Sequence, residues 1–206
     1  MPVSINGNTG VITGLAVGGL PDGTVDADSL ASNAVTAGKL ASGVGGKILQ
    51  VSQAVKTDTQ SLASSATPVD ITGLSITMTP ASSSSKFYIT GKVCLCDQNY
   101  TQNIVHLNVN GSNVGQPAAA GSRISGHTGM GYVSNEDQYA VNNVPVDFLV
   151  NASDGNAHTI KIQWSQADTV GNDSKIIYCN RSLTDSDASG SGSRYISTLT
   201  VMEVAA

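Results

Sequence analysis

GLSITMT, residues 73–79, alternates apolar and hydroxyl side chains: Leu74, Ile76 and Met78 fall on one side, Ser75 and Thr77 on the other. A period of two predicts a strand with one buried face. The same reading recurs in both directions. Upstream, Lys47 to Lys56 (KILQVSQAVK) reads as a first strand. Downstream, Phe87 to Cys96 (FYITGKVCLC) follows, then Ile104 to Val109 running into Asn110-Gly111, a hairpin signal because both residues tolerate positive φ. Val141 to Val150 is another strand, with Pro145 arguing for a sheet edge or a bulge. Asp154-Gly155-Asn156 turns into Thr159 to Ser165 (TIKIQWS), where Ile160, Ile162 and Trp164 share a face. Ile176 to Cys179 is short, and Tyr195 to Val204 (YISTLTVMEV) is apolar on both faces. A strand of that last kind suits a central position or a seam buried between subunits. With about eight strands and no convincing helix between them, residues 47–206 are expected to form an all-β sandwich of jelly-roll type.

Composition narrows the functional classes. Charged residues are only 12% of the chain and the net charge is −5, so a polyanion partner lacks the Lys and Arg it needs; no nucleic acid is expected. No apolar run reaches the roughly 18 residues of a membrane span. The opening MPVSINGNTG has neither the basic nor the apolar part of a secretory signal, so synthesis in a cytoplasm without export by that route is expected.

Residues 1–46 read differently. Short apolar islands (Val3 and Ile5, then Val11, Ile12 and Leu15, then Val17 and Leu20) alternate with the turn signals Asn6-Gly7, Thr9-Gly10 and Asp22-Gly23. They are too short for a core, and an extended arm is expected. Within it a ten-residue phrase occurs twice, VDADSLASNA then VTAGKLASGV, aligning Val25 with Val35 and Leu30 with Leu40. One apolar residue in five fits neither the helical nor the strand template. The stripe becomes stable only when a copy of itself or another surface covers it; the alternative is a flexible Ala/Ser linker with a chance echo.

Residue patterns that carry chemistry are sparse. His106, His127 and His158 have no second ligand at a metal-like spacing, and His106, beside Val105 and Leu107, reads as a hydrogen-bonded sheet histidine. Cys94, Cys96 and Cys179 form no disulfide framework and read as small buried hydrophobes. The acidic run Asp185-Ser186-Asp187 is a weak Ca²⁺ candidate. No nucleophile elbow or phosphate loop is present, and no catalytic residue, metal or cofactor is expected.

SINGNTGVITGL, the repeat DGTVDADSLASNAVTAGKLASGVGGKILQV and the closing SRYISTLTVMEV together resemble small virion proteins of tailed bacteriophages, especially those of aquatic bacteria. The resemblance covers the first 46 residues closely and the remainder by strand pattern and the closing strand. It implies an N-terminal arm that attaches to the particle and a homotrimeric head similar in plan to tumour-necrosis-factor and complement jelly rolls. On that plan Val3, Ile5, Val11, Ile12 and Leu15 dock on a major capsid protein or a tail or portal component. Val25, Leu30, Val35 and Leu40 meet at a three-fold axis, and Leu199, Val201 and Met202 add a seam in the head. The expected role is capsid decoration as a cement protein or short fibre, on a virion assembled in the host cytoplasm. The alternative is a tail fibre whose loops, through Tyr132, Arg181 and Arg194, bind a host surface receptor, protein or glycan.

Overall fold

The computed structural model describes residues 4–6, 8, 11–13, 30–32, 34, 35, 39, 47–63, 65–97, 101–131, 139–168, 175–189 and 192–206. The chain divides into two compact units, Met1–Gly46 and Lys47–Ala206.

In the first unit, β1 (Ser4–Asn6) and β2 (Val11–Thr13) pair antiparallel, with Ile5 opposite Ile12 and Asn6 opposite Val11. The sequence reading expected only an extended arm here. Three-residue strands are too short to show a period of two, and Gly7, Thr9 and Gly10 of the two turn signals lie outside the described residues. Leu30 and Val35 are exposed, at 44% and 50%. Val3, Leu15, Val25 and Leu40 lie outside the described residues.

The second unit is built from strands alone among its described residues: β3 (Ile48–Lys56), β4 (Gln60–Ala63), β5 (Val69–Met78), β6 (Lys86–Asp97), β7 (Thr101–Val109), β8 (Ser112–Val114), β9 (Thr128–Met130), β10 (Asn142–Asn151), β11 (His158–Asp168), β12 (Ile176–Cys179) and β13 (Ser197–Val204). One six-stranded sheet runs β3-β13-β6-β12-β4, with β10 on the other edge of β6; a five-stranded sheet runs β5-β11-β7-β8, with β9 also on β7. Long strands consecutive in sequence alternate between the sheets, and the first, β3, pairs with the last, β13. This interleaving makes a two-sheet antiparallel sandwich of jelly-roll type.

The core lies between the sheets. Phe87, Ile89, Val93 and Leu95 of β6 and Leu199 and Val201 of β13 face Leu74, Ile76, Leu107, Ile160, Ile162 and Trp164 of the other sheet. Each such side chain contributes about 1.5–3 kcal/mol by leaving water. The alternation in GLSITMT is realised: Leu74, Ile76 and Met78 are buried, Ser75 and Thr77 exposed. Asn110 and Gly111 (φ 50° and 86°) make the tight turn between β7 and β8. Pro145 lies on β10, which pairs only with β6 and is an edge.

One expectation is corrected at the closing strand. Leu199 and Val201 are completely buried in the chain's own core. A side chain already buried by its own fold has no surface to give a partner, so neither belongs to a subunit seam. Only Met202, on the opposite face of β13, keeps exposed surface.

Candidate functional site

Two features of the second unit stand apart from its core: a strand junction that anchors a loop, and a row of apolar side chains on the outer face of one sheet.

The junction lies along β6. β12 and β13 both pair antiparallel with the same edge of β6, β12 at Leu95–Asp97 and β13 at Lys86–Lys92. They act as one strand interrupted by residues 180–196. On the far side, β3 and β4 repeat the interruption, β3 ending opposite Ser197 and β4 starting opposite Cys179. Asn180, buried and at φ 63°, ties the four ends. Its Nδ2 donates to the carbonyls of Lys56 and Asp58, both at 2.9 Å, and its Oδ1 accepts from Ser197 Oγ at 2.7 Å. Ser197 Oγ also accepts from the Cys94 amide, at 2.9 Å.

The excursion between β12 and β13 is closed by a bridge between Arg181 and Arg194. Asp185 holds both guanidinium groups: Arg181 Nη1 at 2.7 Å and Arg194 Nη2 at 2.9 Å. The Arg181 guanidinium also stacks 4.1 Å from the centre of the Tyr178 ring. These contacts engage Arg181, one of the expected sugar-binding residues, and Asp185, the first residue of the acidic run read as a Ca²⁺ candidate. Arg194 keeps an exposed side chain beside exposed Tyr195 and Ile196. Tyr132 lies outside the described residues.

The nearest approach to a nucleophilic array is His106–Ser165. His106 Nε2 lies 2.8 Å from Ser165 Oγ, and both residues are buried. Gln116 Nε2 donates to Ser125 O and approaches His106 Nδ1 at 3.1 Å, which makes Nδ1 the acceptor and leaves the ring proton on Nε2. Burial holds the His106 pKa below its ordinary value, so the ring stays neutral. The histidine therefore donates to the serine instead of withdrawing its proton, the reverse of what an activated nucleophile needs. Among the described residues no cluster of three His, Cys, Asp or Glu side chains is placed to hold a metal ion. No described helix is long and apolar enough to cross a membrane.

The two outer faces of the sandwich differ in chemistry. The five-stranded sheet shows water Thr77 hydrogen-bonded to Thr159, and Asp70 accepting from Lys161 and Gln163. The six-stranded sheet shows cross-strand rows of mixed chemistry, in which Gln53 Nε2 donates to Thr200 Oγ1 at 2.9 Å and the Tyr88 hydroxyl to Asp147 Oδ2 at 2.6 Å. One row is Val51, Met202, Tyr88 and Leu149 across β3, β13, β6 and β10. The next two rows, both on the same side of it, are Gln53, Thr200, Thr90, Asp147 and then Val55, Thr198, Lys92, Pro145. Val51, Val55 and Leu149 are exposed at 58%, 45% and 49%. Sequence reasoning found Met202 but missed its neighbours on this face. In KILQVSQAVK the outward valines look like core residues, because alternation identifies the faces of a strand without saying which face is covered.

No protein-family model and no curated protein matches the chain. Solved structures of infectious bursal disease virus show a loose likeness. That of the infectious bursal disease virus Gx strain is 16% identical with a TM-score of 0.40, covering 76% of this chain and 37% of that one. The VP2 subviral particle of infectious bursal disease virus is 13% identical with the same TM-score of 0.40, again over 76% of this chain and 37% of that one. The chain thus spans less than two fifths of the length of these structures.

Proposed function

We propose that this chain is a non-enzymatic structural protein of a bacteriophage particle, acting as a homotrimer. Residues 1–46 attach it to a major capsid protein or a tail or portal component. The β-sandwich projects outward, decorating or stabilising the capsid as a cement protein or short fibre. The observation that carries this reading is the row of apolar side chains on the outer face of the six-stranded sheet, Val51, Met202, Tyr88 and Leu149, with Val51, Leu149 and nearby Val55 exposed. Exposed apolar side chains gathered in this way mark a surface that meets a partner. The repeat carrying Leu30 and Val35, both exposed, supports the same conclusion from the other unit, as does the resemblance to phage virion proteins.

A second reading, a tail fibre that binds a host surface glycan, draws on the pinned loop between β12 and β13. There Arg194, fixed by Asp185, and Tyr195 are exposed side by side, a pairing suited to a sugar ring and its hydroxyls. One experiment addresses both. Particles of the virus encoding this chain are purified, searched for the protein by mass spectrometry and labelled with antibody-bound gold. Label over the capsid supports decoration, and label at the tail supports the fibre. A protein absent from purified particles overturns the virion role.

A further inference from the structure

We propose that the outer face of β3-β13-β6-β10 is the seam between copies of this chain, arranged about an axis parallel to the strands so that the β3 flank of one copy packs on the β10 flank of the next. The inference rests on the homotrimer of the preceding section and gives it an interface.

The occupant follows from the chemistry of the two flanks. In an arrangement about such an axis, each row meets itself from opposite ends. Val51 of one copy then faces Leu149 of the next, and Val55 faces Pro145, apolar against apolar. Between them Gln53, whose amide donates to Thr200 of its own chain, faces Asp147, whose carboxylate accepts from Tyr88 of its own chain. Two of the three consecutive rows are thus matched apolar to apolar, and the polar row between them enters the seam with its hydrogen bonds already made. Lys86 and Lys92 stand at the two ends of this stretch of β6, where their ammonium groups reach water past the apolar centre.

Dimensions agree with three copies. Four strands about 4.8 Å apart make a face roughly 15–20 Å wide. Three such faces closing a triangular prism put the axis about 4–6 Å from each sheet, near half the roughly 10 Å spacing of packed sheets. One layer of side chains from each copy then fills the prism, with Met202 and Tyr88 nearest the axis. With a paired length of about seven residues, the face supplies several hundred Å² per copy, approaching the roughly 800 Å² per partner of a standard stable interface.

The test is a double substitution, Val51→Cys with Leu149→Cys, in the full chain under mild oxidation. Within one chain these positions are separated by two intervening strands, about 14 Å, too far for a disulfide. The native cysteines are buried and do not compete. Covalent trimers on a non-reducing gel, absent from each single variant, are expected. Covalent species stopping at two copies support the seam but overturn the three-fold arrangement. No covalent species, from a chain that light scattering shows to be oligomeric, overturns the seam and leaves the oligomer standing. A monomeric wild type overturns both. Met202→Lys provides the independent arm: it is expected to lower the mass to that of one chain while the far-ultraviolet β spectrum is unchanged, and an unchanged mass contradicts the proposal.

Discussion

Ser197 Oγ donates to Asn180 Oδ1 at 2.7 Å across the break between the two strands that share one edge of β6. Asn180 also donates to two carbonyls beyond that edge, so one buried amide binds four strand ends. Its removal leaves several buried polar groups without partners, each costing about 1–3 kcal/mol. Asn180→Ala is therefore expected to destabilise by about 3 kcal/mol or more, and Asn180→Gly by about 1 kcal/mol less, because glycine accepts the positive φ. Ser197→Ala should cost about 1–2 kcal/mol. Urea denaturation followed by tryptophan fluorescence from Trp164 measures all three.

Acid sensitivity should centre on Glu203. Burial acts to raise its pKa, but hydrogen bonds from Gln50 Nε2 at 2.6 Å and the Ala81 amide at 2.7 Å outweigh it, and the carboxyl is held below its ordinary 4.5. Asp70 is lowered likewise by hydrogen bonds from Lys161 and Gln163. A carboxyl with a depressed folded pKa stabilises fully above its unfolded value, and that contribution disappears as pH falls through the folded value. Buried neutral His106, held below its ordinary 6.5, makes stability begin to fall as pH drops below about 6.5, and the carboxylates add a steeper decline below pH 4.5. Glu203→Gln should lower stability at pH 7 and make the decline shallower. Equilibrium unfolding from pH 3 to 7 tests this; an unchanged acid slope in the variant would remove Glu203 from the account.

Asn103 and Gln166 are opposite one another on β7 and β11, fully buried, and their side-chain amides find no hydrogen-bond partner. Replacing both with apolar residues of similar size removes four orphaned polar atoms at once. Asn103→Leu with Gln166→Met is expected to raise the melting temperature by about 2–6 °C. A fall of that size would mean the amides are satisfied in solution.

The cysteines should be silent. Cys94, Cys96 and Cys179 are buried and not joined in a disulfide, and burial pushes the Cys179 thiol up to about 11. A low thiolate fraction and no solvent access both suppress reaction. A colorimetric thiol reagent should detect none of the three within minutes in the native protein, and all three in denaturant.

The strands that define the sandwich were legible because each is long enough to show its period and carries turn chemistry at its ends. Asn110-Gly111 and the alternation from Leu74 to Met78 are the clearest cases. β4, β8 and β9 were not legible, since three or four residues show no period and their pairing is decided by the longer strands beside them. The closing strand shows the limit more sharply. Its two apolar faces marked it as covered on both sides, and its central place between β3 and β6 agrees. Which face the chain covers itself depends on the register against β6, information that lies over a hundred residues away. Leu199 and Val201 were for that reason assigned to the wrong side of the sheet. The outward apolar row was hidden for the same reason: Val51, Tyr88, Leu149 and Met202 come from four strands and meet only once the sheet has formed.

The proposed role requires the chain to be one of three, and the mass of the purified full chain in solution, by light scattering across a range of concentrations, decides it. Three times the 21.0 kDa chain mass, stable on dilution, is the predicted result. A single chain mass at every concentration would contradict it and would leave the apolar face of the six-stranded sheet to some other partner.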